Sequence, residues 1–354
     1  MILVVNGGSS SIKIELFDMA LVSVLTGSIS EIGGNSVMQM ASDRRPVRAP
    51  DHVAAMSLLL DGVHLAGHPV SSLVAAGHRV VHGGPELTAP ARLTSNVLAK
   101  IEACVPLAPL HNPHNLSGIH ALAALAPDLP QCASFDTAFH ASNAPVAVTY
   151  AIPQKERAKG IRRYGFHGLS YAGMVAQFGA ALPRRLLALH LGNGASLCAI
   201  LNGRSAASSM GYSPLEGLVM GTRAGSIDGM AVLRMAEDHG IDGAGDLLNR
   251  HSGLTALAGT NDMQTLLSRD DDAARFAVDH FCYWAARQAG SAVVAMGGVE
   301  AVAFTGGIGE NAQAVRDRVM AHLSFFGDIP VHVVKADEER QIATDTLALI
   351  NGAV

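Results

Sequence analysis

The sequence predicts an α/β protein that contains two copies of one fold, and three observations lead to this prediction. Short apolar runs that end in glycine alternate with longer segments of helical pattern along the chain. A strand–turn–strand pattern at residues 2–17 returns at residues 186–201. The chain has 354 residues, which suits one large domain or two of ordinary size.

The first half begins with a predicted β-hairpin, in which strands Ile2–Val5 and Ile12–Phe17 flank a Gly/Ser turn at residues 6–11. Asn115 stands where a helix N-cap is expected. The further predicted elements are a helix over Val53–Leu60, a strand over Val74–Val81 and a helix over Leu116–Leu125.

The second half opens with the same pattern, in which Leu186–Leu191 and Leu197–Leu201 flank the turn at residues 192–196. One constant shift places Gly7 on Gly192 and Ser11 on Ser196. A generic glycine-rich hairpin explains this match alone, whereas a duplicated domain explains both the match and the length. The remaining predicted elements are a helix over Arg275–Gly290, strands over Ala301–Thr305 and Val331–Val334, and a helix over Asp337–Ile350 capped by Asp337.

Composition excludes several classes of protein. The apolar fraction of 49% and the charged fraction of 16% exclude a disordered chain, because such a sequence can bury enough apolar surface to offset chain entropy. The formal net charge of -5 argues against a large nucleic-acid-binding surface. Aromatic residues are only 5%, so the core is expected to be aliphatic, and the 37 glycines need an explanation of their own.

Cysteine usage and the N-terminal segment indicate a cytoplasmic protein. The four cysteines lie far apart in apolar surroundings without CxxC spacing, which favours buried, reduced thiols. The apolar run at residues 1–5 is short and has no basic residues before it, so we expect no signal peptide. No apolar stretch is long enough to span a bilayer, so we expect no membrane partner.

Three glycine-rich turns follow short strands, at residues 6–11, 192–196 and 306–311. Glycine lets the backbone approach an anion closely and direct N–H groups at it, so three such turns favour a polyphosphate ligand. None of them matches GxxxxGK[ST] or GxGxxG, which argues against a P-loop enzyme and a dinucleotide site. Lys13 follows the first turn, where it either meets bound phosphate or faces solvent.

Basic residues cluster in glycine-bounded strings around Arg79, Arg163 and Arg223, and arginine binds carboxylates and phosphates in a bidentate fork. Several histidines lie in the same strings. Zinc is the less favoured interpretation, because the cysteines are not among these motifs. Mg²⁺ bound to nucleotide phosphates needs only one or two protein carboxylates. The acidic candidates are Asp136, Asp228, Asp262, Glu310 and Glu338.

Eight strings taken together resemble the acetate kinase (acetokinase) family over nearly the whole chain, within the actin-like and sugar-kinase-like ATPase superfamily. They occur in the family's order. The strings are VNGGSSSIK (5–13), GHRVVHGG (77–84), APLHNP (108–113), FDTAFH (135–140), IRRYGFHG (161–168), HLGNGAS (190–196), PLEGLVMGTR (214–223) and FTGGIGEN (304–311).

The resemblance implies two duplicated actin-like, ribonuclease H-like domains with mixed five-stranded sheets flanked by helices and a cleft between. It places the N-terminal domain at residues 1–140 plus 340–354 and the nucleotide-binding C-terminal domain at 141–339. It implies reversible, direct in-line transfer of the ATP γ-phosphoryl group to acetate, giving acetyl phosphate and ADP. By the same resemblance the protein is expected to be a homodimer.

The resemblance also implies roles for individual residues. Arg79 and Arg223 would clamp the carboxylate and the transferring group, His167 would hydrogen-bond that group, and Asp136 would be the essential acid. Mg²⁺, with Mn²⁺ as an alternative, would be held by Asn6 and Glu338. Substrate contacts would be Lys13, Arg79, Val81, Leu110 and Pro214. Nucleotide contacts would be His190, Leu191, Gly192, Asn193, Gly194, Asp262, Met263, Gln264, Gly307, Ile308, Gly309, Glu310 and Asn311.

The chemistry of a carboxylate acceptor bears on Asp136. A carboxylate with a pKa of about 4 is already ionised at pH 7, so no general base is required for attack. We therefore expect Asp136 to orient an arginine or the ligands of Mg²⁺ rather than to abstract a proton.

The chain departs from the family pattern at several positions and is shorter than a typical member. Gln264 replaces an arginine near the adenine, which removes a cation–π contact and leaves GTP or pyrophosphate as alternative donors. Tyr171 replaces a histidine, which we expect to loosen the region around His167. Propionate as the acceptor stays open, and so does a catalytically inactive nucleotide-binding homologue. Further departures are Pro85, Leu169 and Asp337.

Overall fold

The computed structural model describes residues 1–352, which divide into two compact units. Unit 1 comprises Met1–Phe139 and the residues from Asp337 onward. Unit 2 comprises the continuous segment His140–Ala336. The chain therefore leaves unit 1 once and returns to it with its last helix.

The sheet of unit 1 contains eight strands in the order β5-β4-β3-β2-β1-β6-β8-β7. β1 is antiparallel to β2 and parallel to β6, and β6 is parallel to β8. The strands are β1 (Ile2–Gly7), β2 (Ile12–Phe17), β3 (Ser23–Ser30), β4 (Val37–Met40), β5 (Asp43–Pro46), β6 (Ala75–Val80), β7 (Ala91–Arg92) and β8 (Gln131–Phe135).

Three helices of unit 1 precede the crossing to unit 2: α1 (His52–Leu65), α2 (Ser95–Ala103) and α3 (Asn112–Leu125). α1 begins at an N-cap, because the Asp51 carboxylate accepts a hydrogen bond from Ala54 N at 2.8 Å. Its buried face, which includes Met56 and Leu59, packs in the same aliphatic core as Leu3 and Ile14 of the sheet. This core is almost free of aromatic residues, as the composition predicts.

Unit 2 contains a five-stranded sheet in the order β11-β10-β9-β12-β13. Its strands are β9 (Arg185–Leu191), β10 (Ala195–Leu201), β11 (Arg204–Ser208), β12 (Ala301–Thr305) and β13 (Val331–Val333). Its helices are α4 (Pro145–Val148), α5 (Gln154–Arg157), α6 (Gly168–Phe178), α7 (Gly229–Arg250, interrupted at Gly240), α8 (Gly253–Ala258), α9 (Met263–Ser268), α10 (Asp272–Ala295), α11 (Gly306–Asn311) and α12 (Gln313–His322).

The two units share one strand order, which confirms the predicted duplication. In each sheet a three-stranded antiparallel meander is followed by two strands that run parallel to its first strand. Unit 2 has the five strands that were predicted, and unit 1 extends the same core with the edge strands β4, β5 and β7.

The constant shift between the two hairpins does not hold in the structure. The first turn lies between the paired residues Gly7 and Ile12, whereas the second lies between Leu191 and Ala195 and is one residue shorter. The shared feature is therefore the strand–turn–strand pattern and not a common register.

The last helix, α13 (Glu338–Ile350), packs on the sheet of unit 1. Asp337 caps it as predicted, by accepting a hydrogen bond from Arg340 N at 3.2 Å. Gly77 of β6 allows the close approach, because a Cβ there would lie 2.3 Å from Thr346 Oγ1. No helix among residues 1–352 is long and apolar enough to cross a membrane.

Candidate active site

Arg79 of β6 is held between carboxylates at the carboxyl edge of the parallel strands of unit 1. Asp136, which directly follows β8, accepts hydrogen bonds from Arg79 Nη2 at 2.7 Å and Nε at 3.3 Å. Glu338 at the start of α13 lies 3.8 Å from Arg79 Nε. Asp136 is only 1% exposed, so this ion pair is shielded on its acidic side.

Burial alone would lower the pKa of Arg79, but Asp136, Glu338 and Glu339 outweigh it and raise that pKa above its ordinary value. Arg79 is therefore a permanent cation whose planar fork is fixed in direction by Asp136. This contact agrees with the expected orienting role of Asp136.

The loop after β6 is fixed by side chains of α3. The Asn115 amide accepts from Val81 N at 3.1 Å and donates to Gly7 O at 2.9 Å, so it joins the ends of β6 and β1. The Asn112 amide accepts from His82 N at 3.1 Å and donates to His82 O at 3.0 Å. The prediction of Asn115 as an N-cap is wrong, because α3 begins three residues earlier and Asn115 lies inside it.

The three residues predicted to form the acyl pocket differ in exposure and in their contacts. Val81 is 6% exposed and lies at the end of β6, whereas Leu110 is 44% exposed in the segment before α3. Pro214 lies in unit 2, where its carbonyl oxygen accepts a hydrogen bond from Arg223 Nη1 at 3.2 Å.

The proposed metal ligands of unit 1 have the right chemistry for Mg²⁺. Asn6 at the end of β1 and Glu338 at the start of α13 offer amide and carboxylate oxygens, the hard donors that Mg²⁺ prefers. In the described residues, no group of three or more His, Cys, Asp or Glu side chains could hold a metal ion. A site here would therefore rest on few protein ligands, as for an ion carried with nucleotide phosphates.

Lys13 is the cross-strand partner of Asn6 in the β1–β2 hairpin and its side chain is exposed. It lines a cavity of about 240 Å³ whose wall also includes Glu339. The exposed side chain leaves both predicted alternatives for Lys13, contact with phosphate or with solvent, as predictions.

His167 of unit 2 lies beside the second glycine-rich turn. Its Nδ1 is 2.8 Å from Ser196 Oγ, and its ring stacks on His190 with centroids 4.3 Å apart. A Cβ on Gly194 would lie 3.3 Å from His167 Nε2 and 4.0 Å from Arg223 Nη1. The imidazole and the guanidinium therefore flank the same turn.

Tyr171 does not loosen this region, contrary to expectation. Its side chain is fully buried, and its hydroxyl lies 2.5 Å from Ser196 Oγ. The tyrosine thus adds a contact behind His167, because its hydroxyl reaches the same serine that meets the imidazole.

Arg223 differs from Arg79 in its electrostatic setting. Burial lowers the pKa of Arg223 from its ordinary value. Its hydrogen bonds go to Pro214 O and weakly to Met220 Sδ, and no carboxylate among residues 1–352 forms an ion pair with it. Arg223 therefore keeps a partly desolvated charge that no carboxylate in the described part of the chain balances.

The loop that carries Pro214 is braced by a residue of the Arg-rich string. The Glu216 carboxylate accepts a hydrogen bond from the Tyr150 hydroxyl and lies 3.4 Å from Arg163 Nη2. The Arg163 guanidinium lies 4.2 Å above the Tyr150 ring. Arg163 therefore supports the loop instead of forming an anion site of its own.

A cavity of about 710 Å³ in unit 2 collects most of the predicted nucleotide contacts. Gln264 lies in its wall, which also includes three residues that the sequence did not point to: Asn261, Leu267 and Ala312. The predicted residues that line it are Gly192, Asn193, Asp262, Met263, Gln264, Gly307, Ile308 and Asn311.

The other predicted nucleotide contacts support this wall. Glu310 accepts from Gly306 N at 3.0 Å and from Ala336 N at 2.9 Å, so its carboxylate fixes the backbone. Residues 306–311 form the short helix α11 and not an open turn. The remaining contacts, which do not line the cavity, are His190, Leu191, Gly194 and Gly309.

The residues that the sequence does not point out are those that fix the candidate site in place, and not those that line it. Asn112 and Asn115 belong to a string that stands out for its histidines, and Ser196 stands in a turn motif that gives no hint of a partner. The spacing of the two asparagines, three residues apart inside a helical pattern, is the signal that places both amides on one face.

Comparisons with known proteins agree over the whole chain. A model described as the Acetokinase family matches residues 1–349. An acetate kinase from Nitrobacter hamburgensis is 40% identical over 389 aligned positions, which cover 99% of this chain and 96% of the relative. This alignment is longer than the chain, so the relative carries segments that the chain lacks.

Two solved structures are similar throughout. The crystal structure of Porphyromonas gingivalis acetate kinase has a TM-score of 0.91 and 32% identity, with 99% of both chains covered. A propionate kinase from Francisella tularensis has a TM-score of 0.92 and 33% identity, with 98% of both chains covered.

Proposed function

Because the chain belongs to the acetokinase family, we propose that it transfers the γ-phosphoryl group of ATP to acetate, reversibly, giving acetyl phosphate and ADP. Relatives that are 40–42% identical over 99% of this chain are acetate kinases, so the chain is a phosphotransferase.

The surroundings of Arg223 are the observation that supports the proposal most directly. Its half-buried guanidinium lacks a carboxylate partner within the described part of the chain and lies beside Gly194 and His167. Phosphoryl transfer depends mainly on positioning and on stabilising charge at the transferring oxygens. Arg223 supplies the charge, and His167 supplies a hydrogen-bond donor, next to a glycine turn that leads into the cavity wall at Gly192 and Asn193.

Arg79 is proposed to bind the acceptor carboxylate. Asp136 holds the guanidinium through Nε and Nη2, and this arrangement supports an orienting role for the acid. The acceptor attacks as the ionised carboxylate, so Asp136 has no proton to remove. Val81, two residues beyond Arg79 and buried, suits a short acyl chain.

Mg²⁺, with Mn²⁺ as an alternative, is proposed to be held by Asn6 and Glu338. When bound, such an ion neutralises negative charge on the phosphates. Glu338 also lies 3.8 Å from Arg79 Nε, so the same carboxylate helps to hold the arginine.

The cavity supports a nucleotide as the donor. Its volume of about 710 Å³ falls in the range of pockets that hold drug-sized ligands, which is far more room than pyrophosphate needs. Gln264 in its wall keeps GTP as an alternative to ATP. Propionate stays an alternative acceptor, because one methylene in an apolar pocket changes binding by only about 1–3 kcal/mol.

Hydroxamate trapping of the acyl phosphate tests the proposal directly. Acetate, propionate and butyrate are each incubated with ATP, GTP or pyrophosphate and Mg²⁺. We expect the highest kcat/KM with acetate and ATP. Absence of acyl phosphate in every combination would favour the inactive nucleotide-binding homologue instead.

We further propose that units 1 and 2 correspond to the two actin-like domains, and that the protein is a cytoplasmic homodimer. The four cysteines are all buried and free, which suits a reducing compartment. One face of α10 exposes Phe276 (57%) and Tyr283 (50%) beside a groove of about 510 Å³ shared with α12. Sedimentation equilibrium should give twice the chain mass, and a monomer at micromolar concentration would contradict the dimer.

A further inference from the structure

A buried pair of hydroxyl groups lies behind His167 in unit 2. Ser196 Oγ lies between two partners, 2.8 Å from His167 Nδ1 and 2.5 Å from the Tyr171 hydroxyl. Ser196 and Tyr171 are both fully buried, one in β10 and the other in α6. Water therefore does not compete for these contacts.

The acidities of the two hydroxyls set the direction of the hydrogen bonds. A phenol with a pKa of about 10 is a better donor than an aliphatic alcohol, so Tyr171 donates to Ser196 Oγ. Ser196 then has its own proton left to donate, and the acceptor in reach is His167 Nδ1. A neutral imidazole that accepts at Nδ1 carries its proton on Nε2.

The Nε2 atom of His167 faces the second glycine-rich turn. A Cβ on Gly194 would lie 3.3 Å from it, and Arg223 Nη1 approaches the same point to 4.0 Å. The His190 ring stacks on the imidazole at 4.3 Å and is itself held at Nδ1 by Ser170 Oγ at 2.8 Å. The His167 ring is therefore held by the stacked His190 ring and by the contact at Nδ1. Its Nε2 atom is directed at the turn.

The backbone of His167 is held in an unusual conformation. Its φ of 58° lies in the left-handed region, which a residue with a side chain rarely adopts. Such a conformation persists where surrounding contacts determine it, and the Ser196 contact is one of them. Tyr171 is also held in place, because its ring packs edge-on against His140 with centroids 5.9 Å apart.

We propose that Ser196 and Tyr171 are positioning residues that hold His167 as the Nε2–H tautomer and direct that proton at the phosphoryl group in transfer. The inference rests on the proposed phosphoryl transfer. An imidazole without this pair would divide its proton between the two nitrogens, so part of the enzyme would present a lone pair to an anionic phosphoryl oxygen. The pair thus prevents repulsion at the point where charge has to be stabilised.

The test combines a tautomer measurement with kinetics on two variants and a control. Tyr171→Phe removes one oxygen atom and lets Ser196 accept a proton from Nδ1, and Ser196→Ala removes the hydroxyl itself. Tyr164→Phe is the matched control, because Tyr164 is also buried and its hydroxyl donates to Gly160 O at 2.9 Å. Histidine-labelled ¹⁵N spectra of the full chain report the tautomer, with the His167 signals assigned by their loss in His167→Gln.

We expect the wild type and the control to show the Nε2–H form of His167, and the two variants to show a growing share of the Nδ1–H form. The kcat for acetyl phosphate formation should fall about tenfold in Ser196→Ala and less in Tyr171→Phe. The KM values for acetate and ATP should change by less than about twofold, since ground-state binding is untouched.

Two results would overturn the inference: an unchanged tautomer in both variants, or a changed tautomer with the wild-type kcat. If Ser196→Ala does not fold, Tyr171→Phe decides alone. Failure of the proposed function is seen separately, as absence of acyl phosphate from the wild type in the trapping assay, and the tautomer measurement does not depend on that assay.

Discussion

At the scale of single residues, two arginines occupy opposite electrostatic settings. Arg79 is surrounded by Asp136 and Glu338, which hold its fork in one direction. Arg223 is half-buried, and within residues 1–352 its hydrogen-bond partners are a carbonyl oxygen and a thioether. A partly desolvated cation without a counter-charge destabilises the folded protein. Such a destabilisation is expected at a site that binds an anion during function.

Replacement of Arg223 should therefore separate activity from stability. We expect Arg223→Gln to lower kcat/KM by about 10³-fold or more, the scale of arginines that stabilise transferring phosphoryl groups. The same variant should unfold at an unchanged or higher urea concentration, because the desolvated charge is gone.

Arg250→Gln is the matched control for this prediction. Arg250 is 64% exposed and pairs with Asp246 at 3.2 Å, so its loss should leave both the activity and the urea midpoint near those of the wild type. A clear loss of stability in Arg223→Gln would show that the arginine has a structural partner.

Asp136→Asn tests whether the acid orients Arg79 or acts as a base. An amide keeps one acceptor oxygen but not the ion pair, so we expect kcat/KM to fall by a similar factor at every pH from about 6 to 9. The measurement is the pH–rate profile at saturating Mg²⁺. Normal Mg²⁺ affinity together with loss of a limb of the profile would contradict the orienting role.

At the scale of elements, α3 joins two strand ends. Asn115 links Gly7, the last residue of β1, to Val81 after β6 through one amide, so the helix sets the spacing of the two segments. Both backbone groups are buried, and removal of the amide would leave each without this partner.

Asn115→Ala should lower the free energy of unfolding by about 1–3 kcal/mol, the cost of unsatisfied buried polar groups. We also expect a raised KM for acetate, since Val81 is held by the same side chain. Ser117→Ala on the same helix is the control, because the Ser117 hydroxyl donates only to Pro113 O within the helix. Urea titration and initial rates measure both effects, and equal behaviour of the two variants would refute the link.

The sequence predicts elements well where an apolar run meets glycine, and poorly where strands are exposed or very short. β12 has the predicted bounds, Ala301–Thr305. β5, Asp43–Pro46, is exposed along its whole length and carries no alternation, and β7 has two residues, so pattern alone could not find them. Asn115 shows a second limit, because a helix cap and a clamp inside a helix use the same residue type.

The residues of the candidate site were predictable to a similar extent. The glycine-bounded strings pointed to Arg79 and Arg223. The ionised state of the acceptor pointed to an orienting role for Asp136, and the hydrogen bonds from Arg79 to Asp136 are consistent with that role. The residues that support these side chains were not predictable. Ser196 contacts His167 and Asn112 contacts His82, and both pairs are distant in sequence.

At the scale of the whole molecule, both units contain buried histidines that resist protonation. Burial lowers the pKa of His78 and His82 in unit 1, and of His140 in unit 2, from 6.5 to about 4 in each case. These histidines are neutral in the folded protein at pH 5, whereas in the unfolded chain they are mostly charged.

The protein should therefore lose stability in mild acid. The contribution of these groups is fully present above pH 6.5 and is lost as the pH falls toward about 4, because the unfolded chain binds more protons in that window. Each group contributes a slope of up to about 1.4 kcal/mol per pH unit. Urea titrations at pH 7, 6 and 5 should show falling midpoints, and constant midpoints would contradict the neutral, buried state.

The return of α13 to unit 1 has a consequence for the order of events during synthesis. Unit 2 is one continuous segment, so all of its sequence is available once residue 336 has left the ribosome. Unit 1 begins earlier, but two of its contacts need the last helix. Glu338 of that helix lies beside Arg79, and the Asp345 carboxylate accepts a hydrogen bond from Ser134 Oγ at 2.7 Å. Unit 1, although its sequence is made first, therefore cannot complete these contacts before the last helix has been synthesised.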